Sequence, residues 1–231
     1  MSGKVITENS NIMKKLFLSS AGLVPETKKD FFKLLGKDPT EVLVAFIPTA
    51  ADPEKNKDFV QWSIDQINSE GMKIVNIDLK VEDQNSLHNK LSKCDVIWVN
   101  GGNTFYLLDQ VRKSGFDKIV NKLLDQGKIY FGVSAGSYIV CPNIEAAGWK
   151  NADPNVVNIK NLHALCLVPF ILSAHYNREK YYSAMLEGSK TTKLPVVALT
   201  DKQAVVVEGD KYWIVGGGDK NFFNGFEEYK Q

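Results

Sequence analysis

The sequence predicts an α/β protein with a doubly wound, mostly parallel sheet and a C-terminal antiparallel hairpin. Strand-like apolar runs alternate with helix-spaced segments along the chain. Residues 42–47 (VLVAFI) are continuously apolar, as expected for a parallel strand buried on both faces. Near the C-terminus, two short strand-like runs flank Gly209 and Asp210, which is typical of a hairpin. We expect residues 1–231 to form one domain, with residues 1–13 flexible.

Each element follows from local hydrophobic spacing. Strands are predicted at residues 15–19, 42–47, 73–79, 95–99, 128–131, 170–174, 196–199, 204–208 and 212–215. Helices are predicted at residues 27–35, 55–68, 83–93, 104–114, 117–125 and 178–186, with another beginning at residue 137. The last three strands are interpreted as one strand followed by the hairpin, added at an edge of the sheet.

Charge and cysteine content narrow the function classes. The formal net charge is +1, which gives no electrostatic reason to expect nucleic acid or an anionic membrane as a partner. No apolar run is long enough to span a bilayer, and the polar N-terminus does not resemble a signal peptide. Cys94, Cys141 and Cys166 lie in apolar contexts without C-x-x-C spacing. We therefore expect small core residues in a cytoplasmic protein.

The most informative motif is the G-V-S-A-G sequence at residues 132–136, between a predicted strand and a predicted helix start. This arrangement is typical of a nucleophile elbow, in which glycines permit a sharp turn and the serine hydroxyl projects from the sheet. Ser134 is the predicted nucleophile, and the backbone N–H of Ala135 is a predicted oxyanion donor. The alternative is an ordinary strand-to-helix turn in which Ser134 caps the helix.

A second loop lies at the predicted carboxyl end of the strand at residues 95–99, where open α/β sheets bind their ligands. Gly101 and Gly102 let the backbone approach a ligand closely, so an N–H of this loop is the predicted second oxyanion donor. Asn103 follows and is a candidate substrate-binding residue. Alternatively, Asn103 or Thr104 simply caps the next helix.

A serine nucleophile needs a base, and the chain has three histidines. His88 lies in a polar segment and is interpreted as a surface residue. His175 follows the apolar run at residues 170–174 and precedes a predicted helix, which resembles the position of Ser134. We therefore favour His175 as the base, with His163 as the alternative.

A third group should orient the imidazole and stabilise its charged form. Asp201 follows the predicted strand at residues 196–199 with only Thr200 between them, so it is also expected at a strand end. Asp153 and Glu145 are the alternatives. Asp153 precedes Pro154 in a polar segment that favours a turn, and the spacing of Glu145 does not indicate a role.

Taken together, four segments resemble the dipeptidase E (peptidase S51) family, which also includes cyanophycinases. The segments are GGNTF at 101–105, GVSAG at 132–136, Cys-Pro at 141–142 and SAHY at 173–176. The resemblance covers nearly the whole chain. It implies the class I glutamine-amidotransferase-like fold, a three-layer sandwich of the flavodoxin or Rossmann kind, with serine in place of the nucleophilic cysteine.

The resemblance also implies a serine hydrolase that cleaves very small peptides without a metal or cofactor. It would make Ser134 the nucleophile, His175 the base and Asp201 the acid. The backbone N–H groups of Gly102 and Ala135 would form the oxyanion hole.

The chain departs from the family pattern at residues 145–149, which read EAAGW. Members that prefer an N-terminal aspartate carry Arg-Thr-Thr-Asn-Asp after the Cys-Pro pair, so Glu145 stands at the arginine and Trp149 at the aspartate. A glutamate would repel a substrate carboxylate, so strict Asp-X specificity is not expected. Glu145 or the side chain of Asn103 is a candidate for holding the free amine of a substrate.

The predicted function is therefore a serine exopeptidase that acts on small peptides through an acyl-enzyme. The expected partner is a small peptide, with no nucleic acid and no membrane, and the sequence is compatible with a homodimer. Two alternatives use the same fold: an amidase or esterase with a non-peptide substrate, and a non-catalytic protein that binds a small ligand. The complete serine, histidine and acid set favours an enzyme.

Overall fold

The computed structural model describes residues 13–149 and 153–229. Of the segment expected to be flexible, residues 1–12 lie outside the described residues. The described strands are β1 (Lys15–Ser19), β2 (Leu43–Ile47), β3 (Lys73–Asn76), β4 (Val96–Val99), β5 (Ile129–Val133), β6 (Ile171–Ser173), β7 (Val196–Ala198), β8 (Gln203–Glu208), β9 (Lys211–Gly216) and β10 (Asn221–Phe223). The described helices are α1 (Pro25–Leu35), α2 (Asp58–Ser69), α3 (Gln84–Leu91), α4 (Thr104–Ser114), α5 (Phe116–Asp125), α6 (Ala135–Tyr138), α7 (Glu145–Trp149) and α8 (Tyr182–Ser189).

The large sheet has the strand order β3-β2-β4-β5-β1-β8-β9. Strands β3, β2, β4, β5 and β1 are mutually parallel. Strand β8 pairs antiparallel with β1, and β9 pairs antiparallel with β8. The predicted mostly parallel sheet with a C-terminal antiparallel hairpin is therefore confirmed, although β3 ends at Asn76 and is shorter than expected.

A second sheet of three strands, in the order β10-β7-β6, was not predicted. The sequence placed the strand at residues 196–199 beside the hairpin, at an edge of the large sheet, and this was wrong. The register of β8 on β1, which runs from Lys15 opposite Glu208 to Ser19 opposite Ala204, occupies that edge completely. Strand β7 instead pairs parallel with β6 and antiparallel with β10.

Apolar side chains cover both faces of the large sheet, because successive residues of a strand point to opposite faces. In β1, Leu16 and Leu18 belong to the core beneath helices α3 to α8 and the small sheet. Phe17 belongs to the core beneath α1 and α2. On that face the rings of Trp98 and Phe131 stack with centroids 3.7 Å apart, so neighbouring strands are locked together near the centre of the sheet.

The cysteine prediction was correct at two positions. Cys94 and Cys141 are buried, whereas Cys166 is exposed. Its neighbours Leu165 and Leu167 pack against the core, and the intervening side chain of this irregular segment points outward. Across the part of the chain that the structure describes, no helix combines the length and apolar character needed to cross a bilayer.

The glycine after the serine turn gives a stability prediction. A Cβ at Gly136 would lie 2.0 Å from the Val99 carbonyl oxygen, whereas a Cβ at Gly217 would have no atom within 4 Å. We expect Gly136→Ala to lower the free energy of unfolding by about 2 kcal/mol or more, because backbone must move to admit the methyl group. Gly217→Ala is the control and should change it by less than about 1 kcal/mol. Urea denaturation measures both, and equal stability of the two variants would contradict the prediction.

Candidate active site

Ser134 lies in a sharp turn directly after β5. Its backbone has φ 46° and ψ −106°, a conformation that is strained for a residue with a side chain. The Ser134 N–H donates to the Ser19 carbonyl at 3.0 Å. A Cβ at Gly132 would lie 2.8 Å from the Gly136 carbonyl oxygen. The two glycines of the motif, Gly132 and Gly136, therefore approach each other too closely for a side chain at Gly132.

His175 follows β6 and lies beside this turn. The Ser134 Oγ is 3.1 Å from His175 Nε2, and His175 Nδ1 is 2.5 Å from Asp201 Oδ1. Because an ionised carboxylate only accepts hydrogen bonds, the proton belongs on Nδ1, which leaves Nε2 of the neutral ring as an acceptor for the serine hydroxyl. The structure thus brings together all three residues that the sequence suggested.

Asp201 is held by several donors. Besides His175, its carboxylate accepts from Ser20 Oγ at 3.2 Å and from Asn177 Nδ2 at 3.2 Å. The Arg178 guanidinium lies 3.6 Å from its Oδ2. Burial by itself would raise the pKa of Asp201, but the hydrogen bond and charge of His175, with the charge of Arg178, outweigh burial and lower that pKa to about 2. The carboxylate is therefore ionised at neutral pH.

Ser20 and Asn177 are parts of this arrangement that the sequence analysis missed. The Ser20 hydroxyl donates to Asp201 and accepts the backbone N–H of His175 at 2.8 Å. Asn177 accepts the backbone N–H of Asp201 at 3.0 Å. Ser20 comes directly after β1, so the rule that ligands bind at strand ends was a usable signal for it. Asn177 had no such signal, because its partner lies 24 positions further along the chain.

The glycine loop after β4 lies against the serine turn. A Cβ at Gly101 would be 3.4 Å from the Ser134 Cβ. Gly102 has φ +135°, and a Cβ there would lie 2.3 Å from the Ala50 carbonyl oxygen, so this position requires glycine. Within the described residues, the backbone N–H groups of Gly102 and Ala135 donate to no protein acceptor. Both remain available to a ligand beside Ser134.

The Asn103 side chain caps a helix. Its side-chain oxygen accepts the N–H of Tyr106 at 2.9 Å, which caps α4. Its Nδ2 donates to the Pro154 carbonyl at 2.9 Å. The helix-cap alternative considered in the sequence analysis therefore describes Asn103, whose amide already has partners at both ends.

The other candidate residues have contacts of a different kind. His163 is exposed, and its backbone pairs with Asn143 in an isolated bridge. Asp153 accepts hydrogen bonds from the N–H and hydroxyl of Thr104 at 2.9 and 2.5 Å. Trp149 packs against α8, since a Cβ at Gly188 would lie 2.2 Å from its ring. None of these contacts involves the imidazole of His175.

A cavity of about 340 Å³ opens above Ser134. Its walls include the glycine loop, aromatic side chains and ionisable groups. Among its lining residues are Ser20, Glu54, Phe59, Trp62, Ser63, Asn100, Gly101, Gly102, Ser134, Asp153, His175, Arg178 and Tyr181. A larger cavity of about 440 Å³ lies against β9, but the described residues that line it include no serine, cysteine or histidine. We therefore place the candidate active site at Ser134.

Other chemistry has less support in the described residues. Burial raises the pKa of the Cys141 thiol to about 12, so this cysteine is not a thiolate nucleophile at neutral pH. Over residues 13–149 and 153–229, no three His, Cys, Asp or Glu side chains are grouped as metal ligands would be.

Comparison with known proteins gives consistent matches. The model of peptidase family S51 matches residues 16–215. An uncharacterized peptidase of Listeria monocytogenes is 32% identical over 201 residues, covering 85% of this chain and 96% of that protein. A peptidase E of Shewanella amazonensis is 30% identical over 166 residues, covering 68% of this chain and 69% of that protein.

Solved structures agree in fold. A candidate peptidase E protein from Listeria monocytogenes superposes with a TM-score of 0.77 at 28% identity, covering 89% of this chain and 100% of that one. A peptidase from an acI-B1 actinobacterium superposes with a TM-score of 0.69 at 16% identity, covering 94% of this chain and 97% of that one, and shows the fold alone. With the family model matching most of its length, the chain belongs to peptidase family S51.

Proposed function

We propose that this peptidase is a serine exopeptidase that hydrolyses very small peptides through a covalent acyl-enzyme. The observation that carries the proposal is the continuous hydrogen-bonded series from Ser134 Oγ to His175 Nε2 at 3.1 Å and from His175 Nδ1 to Asp201 Oδ1 at 2.5 Å. A nucleophile, a base and an orienting acid within hydrogen-bond reach are the arrangement that acyl transfer needs. A cavity of about 340 Å³ suits a peptide of a few residues.

In the first half-reaction, Ser134 Oγ attacks the scissile carbonyl carbon while His175 Nε2 accepts the hydroxyl proton. The ionised Asp201 stabilises the imidazolium that forms. The N–H groups of Gly102 and Ala135 stabilise the oxyanion, a contribution of roughly 3 kcal/mol for each donor. His175 then gives its proton to the departing amine, and the acyl group remains on Ser134.

In the second half-reaction, water attacks the acyl carbon and gives a proton to His175. The bond from the acyl carbon to Ser134 Oγ then breaks, His175 returns the proton to Oγ, and the acyl group leaves as a free acid. The same oxyanion donors act again. Because the serine turn holds the hydroxyl in place before substrate arrives, little reorganisation is needed at either step.

Removal of the nucleophile is the first test. We expect the protein to release free amino acids from a panel of dipeptides and tripeptides that includes Asp-X and Glu-X members, and Ser134→Ala to abolish this release. Ser183→Ala, which changes an exposed serine of α8, is the matched control and should retain full activity. Equal turnover by wild type and Ser134→Ala, or no turnover of any peptide, would sink the proposal.

Loss of the orienting carboxylate is the second test. Asp201→Asn keeps the size of the side chain but favours the wrong histidine tautomer, so kcat should fall by roughly three to four orders of magnitude. Asp210→Asn, in the exposed turn between β8 and β9, should leave kcat unchanged. A loss smaller than about tenfold for Asp201→Asn would argue against a triad role.

The lowered pKa of Asp201 predicts how stability depends on pH. Its value of about 2 in the folded protein lies below the ordinary value of about 3.9. Ionised Asp201 therefore stabilises the fold above about pH 4, and this contribution is lost as the pH falls toward 2. Urea denaturation at a series of pH values from about 6 to about 3 should show the difference between wild type and Asp201→Asn changing over this acidic range. A stability difference between wild type and Asp201→Asn that stays constant with pH would contradict this prediction. So would a difference between wild type and Asp210→Asn that changes with pH to the same extent.

A further inference from the structure

The cavity contains two carboxylates that the proposed mechanism does not use. Glu54 and Asp153 both line it. Glu54 is partly buried, and within the described part of the chain no hydrogen bond or ion pair engages its carboxylate. Burial and the negative charge of nearby Asp153 raise the pKa of Glu54. A partly buried carboxylate next to a second one is stabilised by a cation bound between them.

The two acids line the same cavity as Ser134. Asp153 Oδ2 accepts the N–H of Thr104 at 2.9 Å, one residue beyond the 101–103 loop, and Gly101 lies directly against Ser134. Arg178 also lines this cavity. Its backbone N–H donates to the His175 carbonyl at 3.2 Å, and its guanidinium lies 3.6 Å from Asp201 Oδ2. Asp153 is therefore tied to the start of the helix that follows the glycine loop, and Arg178 to the histidine and its acid.

One residue in the cavity lining has an unsatisfied hydrogen-bond donor. Asn100 is fully buried and lines the cavity. Its Oδ1 accepts from Ser63 Oγ at 2.8 Å and from Trp98 Nε1 at 3.4 Å. Because an indole N–H is only a donor, the oxygen must face Trp98. Asn100 Nδ2 is then left with no acceptor among the described residues.

We propose that Glu54, assisted by Asp153, binds the free α-ammonium group of the substrate's first residue. This inference rests on the proposed function. In the N-terminal residue of a peptide, the ammonium lies two bonds from the scissile carbonyl carbon, so the group that holds it must line the same cavity as Ser134, as Glu54 and Asp153 do. Charge-assisted hydrogen bonds to carboxylates are the strong way to bind an ammonium group.

The same charges define the substrate class. The first side chain is expected to be neutral, since an acidic one would face two carboxylates in a partly desolvated cavity. Phe59 and Trp62 line the cavity and offer apolar contact to such a side chain. Arg178 also lines the cavity, but its guanidinium lies 3.6 Å from Asp201, so its charge is already shared with the acid beside His175. The cavity therefore suits a short peptide with a free amine and a neutral first residue.

The test compares three probes, Leu-Gly, N-acetyl-Leu-Gly and Asp-Gly, with kcat/KM measured by amino acid release. Wild type should cleave Leu-Gly roughly ten- to a hundredfold better than either other probe. Glu54→Gln should lose most of the advantage of Leu-Gly over the acetylated probe, while kcat/KM for the acetylated probe changes little. Glu227→Gln, which neutralises an exposed carboxylate near the C-terminus, should behave as wild type.

The outcomes separate two failures. If wild type cleaves peptides in a Ser134-dependent way but cleaves the acetylated probe as well as Leu-Gly, the ammonium site is wrong and the proposed function stands. Full discrimination in a folded Glu54→Gln variant would overturn the ammonium site in the same way. If no peptide is cleaved in a Ser134-dependent way, the proposed function itself fails, and this inference fails with it. The wild-type comparison needs no variant to fold.

Discussion

Ser134 has a positive φ of 46°, which costs free energy for any residue with a side chain. The surrounding sheet maintains it. Its N–H is bonded to the end of β1 through Ser19, and Gly136 fits against the Val99 carbonyl at the end of β4. Two neighbouring parallel strands thus hold the turn from both sides. Because the hydroxyl is set at this one position, the histidine, the acid and the oxyanion donors must all be brought to it.

The small sheet brings the histidine and the acid to the Ser134 hydroxyl. His175 follows β6 and Asp201 follows β7, and these strands pair in parallel, so their carboxyl ends meet at one edge. Ser20 joins this edge to the large sheet, because its hydroxyl bonds to both His175 and Asp201. The same hydroxyl therefore links the two sheets and supports the imidazole and its acid. Change at this junction affects folding and chemistry together.

Family membership and specificity depend on different parts of the chain. The segments that resemble the S51 pattern include the serine turn, the glycine loop and the histidine. The carboxylates that line the cavity include Glu54 and Asp153, which lie outside those segments. The sequence analysis considered Glu145 and Asn103 as holders of a substrate amine, but neither is among the residues that line the cavity. The charges of this cavity therefore come from residues outside the four segments that resemble the family pattern.

The sequence by itself determined the features that nearby residues encode: the buried parallel strands, the C-terminal hairpin and the glycines around Ser134. It favoured His175 and Asp201 but left His163, Asp153 and Glu145 as alternatives. Apolar runs and glycine positions are local signals, so they could be read directly. Only the tertiary structure decided that β7 joins β6 in a second sheet, and that Ser20 bridges to Asp201 across 181 positions. It alone placed Glu54 in the cavity and turned Cys166 outward. The physical reason is that strand pairing, hydrogen bonding across the fold and cavity walls depend on segments distant in sequence, which hydrophobic periodicity does not record.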